Sequence, residues 1–228
     1  MSEVLCNLSD CFLCRSCIPQ WKEAIVVRKK TLSIKKGQRV FKEGDKVKGI
    51  YFIYSGSVKV YKKWINKKEL IIRFAKKGDV LGHRGLGEKD VYPVSAAALE
   101  ETRICFIDNE FLEASLRINP GFTYKMMQFY ASELQRAEKR MRNLAHMEVK
   151  GRIAEALLQL GLVYGYTKDK FIAAAITQQD ISSYAGTTYE TVFKFFTELK
   201  RKKIISSSGK NIRINKPDQL NKFIIDLP

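Results

Sequence analysis

The apolar positions of this chain change their period from one stretch to the next. Between residues 25 and 107 they come in short runs, Ile50-Tyr51-Phe52-Ile53-Tyr54, Val58-Lys59-Val60-Tyr61 and Leu70-Ile71-Ile72-Arg73-Phe74. These runs are rich in β-branched and aromatic side chains, which suit a pleated surface. Glycine or charged turns separate them, at Lys36-Gly37, Glu43-Gly44-Asp45, Ser55-Gly56-Ser57 and Lys77-Gly78-Asp79. Short strands with turns this closely spaced predict a barrel, roll or sandwich. From Pro120 the period becomes helical: Met127, Tyr130, Leu134, Ala137, Met141 and Leu144 recur three and four residues apart. That is the seam of a short coiled coil, although the same stripe would serve a helix packed on its own domain. Its exposed side is expected to be the charged one, with Glu133, Arg136, Glu138, Lys139, Arg140 and Arg142.

Residues 148–164, with Ile153, Leu157, Leu158, Leu160 and Leu162, predict another helix. Residues 165–170 read as a turn, residues 171–176 as a strand, and Pro217 as the start of a last helix carrying Leu220, Phe223 and Ile224. Between these lies the most informative stretch, residues 176–203. Thr177 is a good N-cap, with Asp180 at capping-box spacing. Ile181 and Tyr184 give the first helix an apolar side, and Gly186 ends it where a left-handed residue is usual. Thr187 is expected to cap the next helix, with Glu190 three residues on. Val192, Phe195, Phe196 and Leu199 would face a core, leaving Glu190, Lys194 and the basic run 200–203 outside. Ile204-Ile205 and Ile212-Arg213-Ile214, joined by Ser206-Ser207-Ser208-Gly209-Lys210, form a hairpin wing. A plain helical hairpin would show the same spacing, but the wing favours a winged helix-turn-helix, whose second helix enters the DNA major groove.

At 228 residues the chain can hold two modest domains, with no internal repeat and no low-complexity linker. Its formal net charge of +17 suggests a polyanionic partner. The excess is not concentrated at the proposed DNA-binding end. Residues 1–147 carry 28 basic and 16 acidic side chains, and residues 148–228 carry 13 and 8. With no membrane-length apolar run and no signal-peptide core, a cytoplasmic protein is the expectation. Its two histidines, His83 and His146, neighbour no nucleophile with an orienting carboxylate, so no catalytic residues are assigned and an enzyme is not expected.

Cys6, Cys11, Cys14 and Cys17 crowd the first 17 residues, and Cys105 stands alone downstream. In a cytoplasmic chain such crowding points away from stable disulfides and towards zinc, an iron–sulfur cluster or redox-active thiols.

Residues 177–194 resemble the DNA-binding segment of the CRP/FNR family of bacterial transcription regulators. Thr177, Asp180, Ile181, Gly186, Thr188, Glu190, Thr191 and Val192 are in register with that family's pattern. Lys194 stands where the family usually has Arg, Tyr189 where several members have Arg, and Phe193 where a small polar residue is common. Phe193 either touches a thymine methyl or only packs. The resemblance implies DNA contacts by Gln178, Gln179, Thr188, Tyr189, Glu190, Thr191, Phe193 and Lys194. Glu190 can accept from a cytosine amino group, and Lys194 can donate to guanine as a point charge rather than a fork.

The resemblance extends along nearly the whole chain. Cys17-Ile18-Pro19 matches the end of the FNR cysteine cluster, and Cys11 sits six before Cys17, as a ligand does there. Ala98-Leu99-Glu100-Glu101-Thr102-Arg103-Ile104-Cys105 resembles the stretch that carries FNR's remote ligand. The family's first cysteine falls at Leu8, so the implied ligands are Cys11, Cys14, Cys17 and Cys105, with Cys6 in reserve. They would hold a [4Fe-4S] cluster that senses oxygen or nitric oxide; zinc, or no metal, is the alternative.

Gly37, Phe41, Gly44-Asp45, Gly56, Gly78-Asp79 and Gly82 resemble the cyclic-nucleotide-binding β-roll. His83 follows Gly82 where binders place Glu, and Pro93-Val94 replaces their Arg-Ser/Thr. Without that Arg no charge-assisted bond to a phosphate is supplied, so cAMP is not expected to bind. His83 and Arg84 are candidates for another effector anion, with solvated loop residues the simpler reading.

The expected architecture is α+β. It comprises a cysteine-rich segment (1–18), a β-roll sensor (19–119), a dimerisation helix (120–147) and a winged helix-turn-helix (148–228). The resemblance implies a homodimer reading an inverted repeat in double-stranded DNA, with RNA polymerase as a further partner. A cluster-free regulator answering an unknown small molecule is the second reading.

Overall fold

The computed structural model describes residues 11–64, 68–174 and 176–225. The chain forms two compact units, one through residue 62 and over 75–134, the other over 63–74 and from 135 onward.

The first unit opens with helices α1 (Phe12–Ser16) and α2 (Trp21–Arg28), so its β structure begins at Lys30 rather than at residue 25. The carbonyls of Ile18 and Pro19 accept from the N–H groups of Trp21 and Lys22, which starts α2. Trp21 stacks on Phe111 with ring centroids 5.5 Å apart, which fixes the helix to the core. The strands over residues 30–108 are β1 (Lys30–Ile34), β2 (Arg39–Phe41), β3 (Gly49–Ser55), β4 (Ser57–Lys63), β5 (Glu69–Lys76), β6 (Val80–Leu81), β7 (Ser95–Ala98) and β8 (Thr102–Asp108), with most of β5 belonging to the second unit. They form a sheet in the order β1-β8-β3-β6 and another in the order β2-β7-β4-β5.

Strand β3 explains why its sequence is apolar without alternation. Ile50 and Phe52 join the helix-side core with Cys105 and Ile107. Tyr51, on the opposite face, meets Phe41, Tyr92 and Phe106 at ring distances of 5.6, 6.5 and 5.0 Å. A strand covered on both sides reads as a continuous apolar run. Gly49, which opens β3, is obligatory: a Cβ there would collide with the Ile107 carbonyl.

Helix α3 (Asn109–Ile118) is capped by the Asp108 carboxylate, which accepts from the Phe111 N–H. Helix α4 (Pro120–His146) follows and runs through the boundary between the units. The residues it buries are not its coiled-coil stripe. Phe122, Met126 and Glu133 are buried in the first unit and Asn143 in the second, whereas Met127, Leu134 and Met141 are 63%, 61% and 62% exposed.

The second unit contains α5 (Val149–Tyr164), α6 (Gln178–Ala185), α7 (Tyr189–Arg201), β9 (Ile205–Ser208), β10 (Asn211–Ile214) and α8 (Pro217–Ile225). Helices α6 and α7 are the expected helix-turn-helix, and the antiparallel pair β9–β10 is the wing. Among the described residues of the strand expected over 171–176, the pairing is reduced to isolated bridges, Phe171 with Arg213 and Tyr166 with Ile172. The Ile172 N–H reaches Ile212, but that of Ala173 turns back to Gly165, and the alanines that follow offer little for a pleated surface to pack.

Candidate DNA-reading surface and cysteine site

The first helix of the pair is set by its caps. The Thr177 hydroxyl accepts from the Asp180 N–H at 3.1 Å, and the Asp180 carboxylate accepts from the Thr177 N–H at 3.1 Å, a complete capping box. Gly186 ends the helix in the left-handed conformation, φ 63°. The cap of the next helix is one residue later than the sequence suggested. The Thr187 N–H bonds back to Ser182, so Thr187 belongs to the end of α6. Thr188 is the N-cap of α7, its hydroxyl accepting from the Thr191 N–H at 3.3 Å. Glu190 therefore lies in the second helical position, outside the capping box, and is fully exposed to solvent. Its own backbone N–H, the Thr188 hydroxyl and Lys194 hold its carboxyl below the usual range, so it is an ionised acceptor.

Helix α7 divides sharply. Val192, Phe195, Phe196 and Leu199 are at most 2% exposed. Tyr189, Glu190, Phe193 and Lys194 face solvent, with Thr191 half-buried at their edge. Gln179 is exposed and Gln178 half-buried at the start of α6. Gln178, Gln179 and Tyr189, with Ser207 and Lys210 of the wing, line a cleft of about 240 Å³. Of the residues expected to contact DNA, the cleft gathers Gln178, Gln179 and Tyr189 beside the wing, and Glu190, Phe193 and Lys194 are exposed on the same helix as Tyr189.

Sequence patterning missed the arginines that close the end of α6. Arg152 on α5 donates to the Ala185 carbonyl at 2.8 Å. Arg140 on α4 donates to the Tyr184 carbonyl at 2.6 Å and to Ile71 at 2.7 Å, with its guanidinium 4.0 Å from the Tyr184 ring centre. Cations suit the negative end of a helix. Their only sequence signal is that they are basic residues outside the apolar stripe.

The cysteines lie in the first unit. Cys14, Cys17 and Cys105 are buried and Cys11 half-buried, all thiols rather than disulfides. All pack in or against one core with Leu13, Ile25, Phe52 and Phe122. Cys105 is placed by β8, where it faces Thr31 of β1 and Phe52 of β3. The segment after Cys17 is anchored by Asn119, whose side-chain oxygen accepts from the Ile18 N–H at 2.9 Å, and by Ser115, which accepts from the Trp21 indole at 2.9 Å. The hydrogen bond from Cys14 pulls the Cys11 thiol down to about 6, with backbone N–H groups and Lys29 assisting against the cost of burial. Burial, and the charge on Cys11, push the Cys17 thiol up to about 11. The four thiols thus share one core, with Cys11 the more readily ionised and Cys17 the less. Among the described residues no three Cys, His, Asp or Glu side chains are gathered as a site for a single metal ion. Cys6 lies outside the described residues.

His83 and Arg84 are not the solvated loop residues expected. They sit in a 3-10 turn, His83–Gly85, entered through Gly82 at φ 82°. His83 is 4% exposed. Arg84 donates to the Glu133 carboxylate at 3.2 Å, and the His83 Nε2 is 3.5 Å from the same oxygen. The Tyr130 hydroxyl donates to the His83 carbonyl at 2.7 Å. An anionic effector at this pair would have to displace Glu133.

Two family descriptions match the chain: a cyclic nucleotide-binding domain over residues 31–119 and a Crp-like helix-turn-helix domain over residues 151–223. The transcriptional activator protein Anr of Pseudomonas protegens is 28% identical over 223 residues, 94% of this chain and 91% of its own length. The chain belongs to the CRP/FNR family. The fumarate and nitrate reduction regulatory protein of Vibrio cholerae is 29% identical over 219 residues, 91% of this chain and 86% of that one. Among solved structures, FixK2 from Bradyrhizobium japonicum has the same fold, with a TM-score of 0.78 at 24% identity, covering 88% of this chain and 99% of that one. As a CRP/FNR protein this chain is a DNA-binding transcription regulator, and the relatives it matches are regulators rather than enzymes. None of its described helices is long and apolar enough to cross a membrane.

Proposed function

We propose that the protein is a homodimeric, sequence-specific regulator that reads an inverted repeat with α7 and senses oxygen, nitric oxide or redox state through a [4Fe-4S] cluster. One observation carries the DNA-reading part: α7 buries its apolar side and presents Tyr189, Glu190, Phe193 and Lys194 to solvent beside the wing. The exposed stripe Met127, Leu134 and Met141 supports pairing of α4 with its twin, since apolar residues at seam spacing are otherwise left in water. Two-fold pairing would set two copies of α7 at half-sites about one helical turn apart.

Cys11, Cys14, Cys17 and Cys105 would hold the cluster. Bound there, it supplies a redox-active centre whose integrity depends on its thiolate ligands. The chain's own residues provide the link to α4. Phe12, between the first cysteines, packs against Phe122 and Phe129 of that helix at ring distances of 6.2 and 5.8 Å. A shift of the cysteine segment would therefore move the base of the helix. The second reading is a regulator without a cluster that answers a small molecule other than cAMP, with the cysteines zinc-bound or idle.

Iron, sulfide and zinc content, with a visible spectrum, on protein purified without oxygen tests the two readings. About four iron and four sulfide per chain, with colour and dimer lost on aeration, supports the first. One zinc or no metal, and no colour, supports the second. Selection from a random duplex library tests the DNA reading. Recovered sites should be inverted repeats, bound with a steep inverse dependence on salt.

A further inference from the structure

We infer that Phe193, braced by Tyr189, reads thymine methyl groups, so that each half-site carries a thymine next to the bases contacted by Glu190 and Lys194. The inference rests on the DNA-reading surface described above and goes further by naming the base chemistry it prefers.

Tyr189 and Phe193 are four residues apart, one turn of α7, and their rings stack with centroids 6.3 Å apart at 27°. Both stand in water, 43% and 53% exposed, on a helix that buries its other aromatic residues almost completely. The sequence left open whether Phe193 packs in the core; its exposure settles that it does not. A stacked pair one turn apart stabilises its own helix by only a few tenths of a kcal/mol, too little to account for two large rings on a surface that otherwise offers Glu190 and Lys194. Tyr189 also lines the cleft with Gln178, Gln179 and Lys210, so its ring stands beside the start of α6 and the wing. Phe193 stacks on that ring.

The helix therefore presents two ridges side by side. Glu190 and Lys194 form a polar ridge, and Tyr189 and Phe193, each one residue earlier, form an apolar one. The major groove offers polar edges on every base pair but only one apolar group, the thymine C5-methyl. A phenylalanine ring cannot discriminate among donors and acceptors, and burying it against them would leave them unpaired. Against a methyl group it loses nothing and removes apolar surface from water.

The test uses the full-length protein and the duplex recovered by selection. Each thymine of the site is replaced in turn by deoxyuridine, which deletes the methyl and keeps every hydrogen-bonding edge, and affinity is read by fluorescence anisotropy. The expected result is a loss of about fourfold per methyl at one thymine of each half-site, the ratio for one buried methyl-sized group. Phe193→Ala should bind the thymine and uracil duplexes equally, and Phe193→Leu should restore part of the difference. Uracil substitution without effect at every thymine, or an undiminished effect in Phe193→Ala, would overturn the inference while leaving the DNA reading intact. Failure to recover any site would overturn both. Because Phe193 is outside the core, Phe193→Ala should melt like the parent protein, which separates lost reading from lost fold.

Discussion

The proposed recognition helix and the proposed cysteine site place their candidate side chains on opposite sides of the solvent boundary. On α7, Glu190, Phe193 and Lys194 are exposed, and the core that holds them is made by other residues of the same helix. In the first unit, Cys14, Cys17 and Cys105 are themselves part of the core, packed among Leu13, Ile50, Phe52 and Phe122. Holding and reading are thus separate jobs on α7 and a single job around the cysteines. A surface of the first kind can vary its specificity without touching its fold. If the cysteines hold the proposed cluster, a change in their ligation would disturb the packing around them, which is the property a sensor needs.

The largest expected effect breaks α7 along this division. Phe196 is 1% exposed and Phe193 is 53% exposed, on the same helix. Phe196→Ala should cost about 3–5 kcal/mol of stability, by lost burial and a cavity. Phe193→Ala should change stability by less than about 0.5 kcal/mol, as a surface substitution. Urea titrations of both variants check this, and equal losses would mean that the reading face is part of the core after all.

The cysteine side of the comparison calls for an intermediate effect. Cys105 is 6% exposed on β8, flanked by β1 and β3. In metal-free protein Cys105→Ala should cost about 1–2 kcal/mol, the loss of one buried group with its small cavity. Cys105→Ser should cost more, because a hydroxyl prefers a hydrogen-bonding partner that an apolar core supplies less readily than water. In protein purified without oxygen either variant should also lose the visible absorbance. If both kept full stability, the cysteine would not share in the packing, and the contrast with α7 would fail.

The same contrast explains what could be seen in the sequence. The helix-turn-helix was legible because its signals are local: Thr177 with Asp180, Gly186, and the apolar spacing from Val192 to Leu199 all act within a turn or two of the chain. The capping error at Thr187 was a slip of one residue, since adjacent threonines offer the same hydroxyl and only the Thr187–Ser182 bond decides between them. The β-roll was legible from its turns, although α2 took the place of its expected beginning. The setting of His83 was not legible, because Glu133 lies 50 residues away on α4 and no periodicity connects them. Arg140 and Arg152 were hidden for the same reason. Long-range polar pairing leaves no local trace.

The smallest effect concerns how α7 is fastened at its polar edge. Glu198 accepts from Lys150 of α5 at 2.7 Å and from Lys202 at 2.7 Å. These two lysines hold its carboxyl down at about 2, well below the ordinary glutamate value. A carboxyl whose folded value is depressed contributes stability that is fully present above its unfolded value, near 4.5, and is lost as pH falls towards 2. The lysine side chains are 51% and 49% exposed, so water and salt screen the contact and its contribution stays below about 1 kcal/mol. Glu198→Gln should therefore be slightly less stable than the parent at neutral pH. The gap should close between pH 4.5 and the acid limit of folding, and should shrink at neutral pH as salt is added. A gap that persisted unchanged in acid and in high salt would mean that Glu198 acts through packing, which would make this edge of α7 more like the cysteine core than like the reading face beside it.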